Sequence, residues 1–316
     1  MAKNKFIILL SLISSLLIGG CKTPPINKLE NSVNFTPLTS YSEKINFYFP
    51  EYYDDKNVCY EGDGTVIIFP DNKVALIDGF ATGASEQHIA FLKNLGISKI
   101  DFLIATHYHG DHIGTFSNII KEFKVVNFYS CGAPINTNTS KTLVETLEKY
   151  KIPQTVLKEG DKLFFTKDCY IDVLWPNLTE EDKYNVMYNP GKTAALINLT
   201  SLVFKFNYKD FSILFTGDVY KKGDKAITKK YGDKLKSDIL KAPHHGDFYT
   251  ANNYSFIKAV NPEYAIIMDN RYITTIISNR YKRAGTKLLY RLTPGYIHIE
   301  TDGDKYSISQ SDNYLK

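Results

Sequence analysis

The chain has 316 residues, 43% of them hydrophobic and 23% charged, proportions that suit a globular protein with a substantial core and exclude a disordered or fibrous one. Its formal charge of +4, from 38 Lys+Arg and 34 Asp+Glu, is too small to make the whole surface a polyanion binder. Four cysteines, Cys21, Cys59, Cys131 and Cys169, show no CxxC spacing, which excludes a zinc knuckle and a dense disulfide framework.

Lys3 and Lys5 precede the apolar run Phe6 to Ile18, and Gly19-Gly20-Cys21 follows it, the order of charge, apolar stretch and small residues found in an export signal. The run is too short for a comfortable transmembrane helix. Ile18-Gly19-Gly20-Cys21 resembles the bacterial lipobox. That resemblance implies a lipoprotein signal peptide over 1–20, a lipid on Cys21, and an exported protein anchored on the extracytoplasmic side of a bacterial membrane. Residues 21–40, with Pro24, Pro25 and Pro37 and no apolar period, read as a tether, which leaves 41–316 as the folded domain.

Along that domain, short β-type runs recur at 45–49, 65–69, 74–77, 100–105, 125–129, 170–175, 202–208, 211–215, 239–241, 264–268 and 297–300. Helical periodicity falls between them over 85–95, 113–123, 140–150, 221–231 and 254–260. The alternation predicts sheets inside and helices outside. Asp302-Gly303-Asp304 separates two alternating runs and predicts a hairpin turn, not a calcium loop.

Of seven histidines, five lie in two groups: His107, His109 and His112 in Thr106-His-Tyr-His-Gly-Asp-His112, and the pair His244-His245. The apolar run before His107 is a strand, so His107 and His109 leave its end at i, i+2 and can face one point. Gly110 permits a bend, and Asp111 and His112 start the next helix. Two imidazoles at a strand end beside a carboxylate and an imidazole at a helix start can hold two metals close together. His88 and His298 sit in apolar patterns and read as packed or surface residues.

His107-x-His109-x-Asp111-His112 resembles the signature of the metallo-β-lactamase fold, a four-layer αββα sandwich of α/β (α+β) class whose members hydrolyse substrates with water activated by two metals, usually zinc. Val74-Ala-Leu-Ile-Asp78-Gly79, Phe211 to Asp218 and Ile239 to Gly246 resemble the family's other metal-approaching strands, in order. The resemblance implies His107 and His109 at one metal, Asp111 and His112 with one of the pair His244-His245 at the other, and Asp218 bridging both; spacing does not separate the pair, and His245 is favoured as the ligand. The ions would be Zn²⁺ or Mn²⁺. Asp111 would also take a proton from the attacking water, and His244 would donate a hydrogen bond in the transition state. Many members supply a further His to the first metal, yet no His occurs from 113 to 243.

That absence, with Glu61-Gly-Asp-Gly64, Lys287-Leu-Leu-Tyr-Arg-Leu292 and the doubled His before Gly246, resembles the hydrolase domain of ComEC-type competence proteins. That domain is thought to degrade one DNA strand, which implies a phosphodiester or nucleic-acid substrate. Residues 271–291 add Arg271, Arg280, Lys282, Arg283, Lys287 and Arg291 with interspersed tyrosines and no acid, and Arg280, Lys282 and Arg283 are the expected substrate contacts. The fold alone also allows hydrolysis of a phosphorylcholine ester, lactone or β-lactam, or a non-catalytic surface-binding lipoprotein.

Overall fold

The computed structural model describes residues 43–188 and 193–312. Two facing sheets dominate it. Across the first run β17 (Tyr306–Ser311), β16 (Gly295–Thr301), β1 (Ile45–Glu51), β2 (Thr65–Ile68), β3 (Val74–Ile77), β5 (Phe102–Ala105), β7 (Phe128–Ser130) and β8 (Gln154–Val156). Its pairs are antiparallel as far as β3 and parallel from β3 to β8. Across the second run β15 (Lys287–Leu289), β14 (Tyr264–Ile266), β13 (Ile239–Lys241), β12 (Phe211–Phe215), β11 (Val203–Tyr208), β10 (Cys169–Trp175) and β9 (Lys162–Thr166), parallel from β15 to β12 and antiparallel beyond. A separate parallel pair joins β4 (Lys99–Ile100) to β6 (Lys124–Val125).

Residue type along the strands creates the layers. Phe47 and Phe49 of β1 meet Phe206 and Phe215 of the second sheet, at 5.0 and 6.4 Å between ring centroids, while Tyr48 between them packs on Phe91 of α1 (Ser85–Asn94). One strand therefore feeds two layers by simple alternation. In the second sheet Ile213, Ile239 and Ile266 join the inter-sheet core, while their neighbours Leu214, Leu240 and Ala265 pack with Ile227, Phe256 and Tyr281. These three belong to α7 (Lys221–Tyr231), α8 (Tyr254–Val260) and α9 (Thr275–Ala284). Strands buried on both faces read as continuous apolar runs, as β3 and β12 do. The result is an αββα sandwich.

Several boundaries differ from the sequence expectation. The helix expected over 113–123 is two pieces, α2 (Gly110–Ile113) and α3 (Phe116–Glu122), and Asp111 and His112 lie inside the first. Gly110 takes no left-handed backbone, and a Cβ there would meet nothing closer than Thr139 Oγ1 at 3.7 Å. The run 100–105 breaks at Asp101, whose buried carboxylate accepts the Val74 N–H at 3.1 Å, and 125–129 breaks likewise between β6 and β7. The short β8, β9 and β15, together with α4 (Asn138–Lys149) starting two residues early, α5 (Glu180–Tyr188), α6 (Thr193–Leu199) and α9, complete the fold. Gly303, at φ 93, makes the hairpin turn between β16 and β17.

Cys59, Cys131 and Cys169 are buried free thiols. Among the described residues no helix is long and apolar enough to cross a membrane. The expected signal peptide, the lipid on Cys21 and the tether lie outside the described residues.

Candidate metal centre

The two histidine groups, far apart in sequence, converge where the sheets' strand ends meet. His107 and His109 follow β5, and His107 Nε2 lies 3.0 Å from His109 Nδ1. Asp218 follows β12, with Oδ2 3.8 Å from His107 Nε2, 3.1 Å from His112 Nε2 and 3.4 Å from His245 Nε2. Asp111 Oδ2 stands 3.3 Å from His245 Nε2 and 3.7 Å from His112 Nε2. Asp218 thus faces both a His107–His109 cluster and a His112–His245 cluster.

His244 and His245 both adopt left-handed backbone, at φ 46 and 52, followed by Gly246 at φ 85. Such residues cost about 1–2 kcal/mol each. The local fold tolerates that cost because it sends the two rings in different directions. His245 is 2% exposed and its Nδ1 reaches Asp63 Oδ1 at 3.0 Å, which leaves Nε2 for the centre. His244 Nδ1 meets Thr250 Oγ1 at 2.7 Å, and its Nε2 is 3.8 Å from Asp218 Oδ2.

Each inward-facing imidazole of the second cluster has its own carboxylate behind it. Asp78, at the end of β3, accepts the Thr106 N–H and hydroxyl at 2.8 Å each and holds His112 Nδ1 at 3.0 Å. Asp63 does the same for His245, with buried Lys241 Nζ on its other oxygen at 2.6 Å. Carboxylate–histidine pairs of this kind fix the tautomer and ring orientation at metal sites. Although Asp63 belongs to the same cluster of ligand-type residues, its two oxygens are turned to Lys241 and His245 Nδ1.

Electrostatics and unpaired atoms both fit cations at the centre. Burial disfavours charge on His112 and His245, but for His112 the carboxylates of Asp218, Asp111 and Asp78, and for His245 those of Asp218 and Asp63, outweigh it and hold both rings well above the usual histidine range. Burial pushes His107, His109 and His244 down. Burial would raise Asp218 and Asp111 too, yet the neighbouring imidazoles hold both below the usual carboxylate range. Among the described residues, His112 Nε2, His245 Nε2 and Asp218 Oδ1 are buried with no hydrogen-bond partner. Three orphaned donor atoms at one point are costly unless something binds them, and imidazole nitrogens with carboxylate oxygens suit zinc or manganese.

Residues 61–268 match the sequence profile of the Metallo-beta-lactamase superfamily. The chain belongs to that superfamily. Its members are metal-dependent hydrolases on a fold that typically binds two divalent metals. Among curated relatives of this metallo-β-lactamase-fold chain, ComE operon protein 3 of Bacillus subtilis (strain 168) is 28% identical over 211 residues, 67% of this chain and 24% of that protein. Competence protein ComA of Neisseria gonorrhoeae is 25% identical over 239 residues, 71% of this chain and 29% of that protein. The chain therefore spans less than a third of the length of either and resembles the ComEC-type branch. A solved diphosphatase of the PhnP family aligns at TM-score 0.47 and 12% identity, covering 81% of this chain and 98% of that one.

Asp63 stands in the Glu61-Gly-Asp-Gly64 motif and Tyr272 in the basic stretch, but the sequence assigns no role at the centre to either, nor to Lys241 or Thr250. Lys241 ends an otherwise apolar strand, and a lysine in such a run signals a buried ion pair. Tyr272 packs on His245 at 5.6 Å and on His244 at 5.9 Å between ring centroids, a contact made only by folding. The basic stretch 271–291 is divided. Arg271 pairs with Asp269 and Glu61, Lys287 with Glu263, and buried Arg291 with Asp312. Arg280, Lys282 and Arg283 lie on α9, where Arg280 and Arg283 border an open pocket and Lys282 is exposed outside its lining.

Proposed function

We propose that this chain is a two-metal phosphodiesterase acting on nucleic-acid-like diesters outside the cytoplasm, held to a membrane by a lipid on Cys21. The observation that carries the reading is Asp218, buried between two imidazole clusters with one carboxylate oxygen unpaired. The competence-protein relatives support a phosphodiester substrate over the superfamily's other esters and amides. His107, His109 and Asp218 would hold one metal, and Asp111, His112, His245 and Asp218 the other. Bound there, two divalent cations supply Lewis-acid activation of water and of the electrophile's oxygens.

The protein's own groups do the rest. Asp111 is partly open to solvent and held ionised by its neighbours; with Oδ2 turned to His112 and His245, its other oxygen, Oδ1, accepts a proton from the attacking water. Thr250 donates its hydroxyl hydrogen to Asp247, so its oxygen receives the His244 Nδ1–H. His244 Nε2 is thereby the lone-pair nitrogen of a neutral ring turned to the centre, so it accepts a proton there before it can pass one to a leaving oxygen.

Metal content and turnover on one sample test this. Close to two metals per chain, with chelator-sensitive cleavage of bis-p-nitrophenyl phosphate and single-stranded DNA, is the expected result. Two metals without diester cleavage would overturn the substrate and move the search to lactones, β-lactams and phosphorylcholine esters. No metal under replete conditions would overturn the mechanism.

A further inference from the structure

The loop that carries the His244 partners also borders a cationic pocket. Thr250 accepts the His244 Nδ1–H on its hydroxyl oxygen and the Lys221 N–H on its carbonyl at 2.7 Å. Tyr220 packs against His244 at 5.0 Å between ring centroids, while the next residue, Lys221, lines a neighbouring open pocket of about 450 Å³. Adjacent residues thus serve adjacent sites. Arg280, Arg283, Asn253, Asn279 and Tyr254 also line the pocket, and no acid does.

Among the described residues, none of the three cations makes an ion pair. Lys221 Nζ donates to the Tyr249 carbonyl at 2.5 Å, and Arg280 Nη1 donates to the Asn252 carbonyl at 2.8 Å while the guanidinium lies over Phe248. Arg283 lies over the Tyr254 ring at 4.9 Å. Buried Asp224 is nearby, but its carboxylate is occupied by the backbone and side chain of Asn253. Asp224 attracts Lys221 through space, yet among the described residues no carboxylate is in ion-pair contact with any of the three cations. Tyr249, 77% exposed, adds an open aromatic ring on the same loop, and Tyr254 of α8 adds a second, one face of which Arg283 covers.

Unpaired cations beside exposed aromatic rings suit a flexible strand with a charged backbone and flat bases. We propose that Lys221, Arg280 and Arg283 form a phosphate subsite for a single nucleic-acid strand whose neighbouring diester lies at the metal centre, an inference that rests on the phosphodiesterase reading. The subsite differs from the trio suggested by the basic stretch. Folding adds Lys221 from α7 and leaves Lys282 out of the lining.

Binding of a fluorescent oligothymidylate, followed by anisotropy over a salt series with chelator present, tests the subsite independently of turnover. Each cation neutralising one phosphate contributes about 0.7 to the slope of log affinity against log salt for a single strand. Lys221→Gln and Arg283→Gln, at solvent-accessible positions, should each weaken binding several-fold and flatten the slope by about 0.7. Arg280→Gln should do the same, with a thermal melt to separate lost binding from lost packing on Phe248. Unchanged affinity and slope in folded Lys221→Gln and Arg283→Gln variants would overturn the subsite. So would loss of binding to phosphatidylglycerol vesicles with oligonucleotide binding intact. A wild-type protein that binds the strand with these cation effects, but cleaves no diester when metal-loaded, would keep the subsite and overturn the phosphodiesterase reading. Cleavage with cation-independent binding would do the reverse.

Discussion

Asp63 and His245, 182 positions apart in the chain, meet at 3.0 Å, and the remaining oxygen of Asp63 is held by Lys241 at 2.6 Å. All three are at most 4% exposed. The lysine compensates the aspartate, and the aspartate points His245 Nε2 at the centre. Lys241→Met would leave Asp63 buried without its cation, so His245 loses a fixed orientation. The expected outcome is metal affinity lower by about 10–100-fold at the His112–His245 cluster, the usual range for losing such support. Competition with a chromophoric chelator measures it, and wild-type affinity in the folded variant would refute the role.

Asp218 serves both clusters with one carboxylate. Asp218→Asn keeps the shape but removes the charge that offsets the repulsion between two dications. Metal content should fall below two per chain, and diester turnover should drop by about 10³-fold or more. Elemental analysis beside a turnover assay checks both, and an active variant retaining two metals would show that Asp218 does not bridge.

The raised positions of His112 and His245 fix the sign of a pH effect. In the metal-free protein the carboxylates around these rings outweigh burial and favour their protonated forms. A metal needs both Nε2 lone pairs, so binding releases protons and affinity falls as pH falls. Each proton released makes the affinity about tenfold weaker per pH unit. Calorimetric titration with zinc in two buffers of different ionisation enthalpy should give different heats. Identical heats would mean that the rings are neutral before metal arrives.

Gly62 is placed where no side chain fits. Its φ is +114, and a Cβ would stand 1.7 Å from the Asp111 carbonyl oxygen. Gly62→Ala must therefore move either the α2 turn or the loop before β2, and that loop contains Asp63. A loss of about 2–4 kcal/mol in stability is expected, together with weakened metal binding. Urea unfolding and the chelator competition read the two effects, and a variant as stable as wild type would show that the loop yields freely.

The layers were legible because β3, β12 and β13 are short apolar runs and their ends carry the ligand-type residues. The histidine spacing brought His107, His109, Asp111 and His112 together on local geometry alone. What escaped is nonlocal or marginal in signal. Asp63 and Lys241 depend on a contact between sheets, β8 is an edge strand with all three residues exposed, and β9 is an edge strand with one buried residue. Helix α9 did leave a trace. Thr274 caps its start by accepting the Ile277 N–H, Gly285 ends it at φ 89, and Ile277, Tyr281 and Ala284 bury one face.

His88 gives a test outside the metal centre. Its ring is fully buried between Tyr52 and Phe80, with Nδ1 3.1 Å from Thr115 Oγ1 and, among the described residues, no partner for Nε2. Burial pushes it down from the ordinary 6.5 to about 3. The unfolded chain takes up a proton below about pH 6.5 while the folded one does not until about pH 3, so the ring's contribution is complete above the first value and is lost as pH falls toward the second. Between about pH 7.5 and pH 5 this one residue should remove ~2 kcal/mol of stability. His88→Leu abolishes the titration, so its unfolding free energy should fall less steeply over that interval by a similar amount, whatever its stability at neutral pH. Urea unfolding at several pH values, with chelator present for both proteins, compares the slopes. Parallel slopes would mean that His88 already shares a proton with water or Thr115 in the folded state.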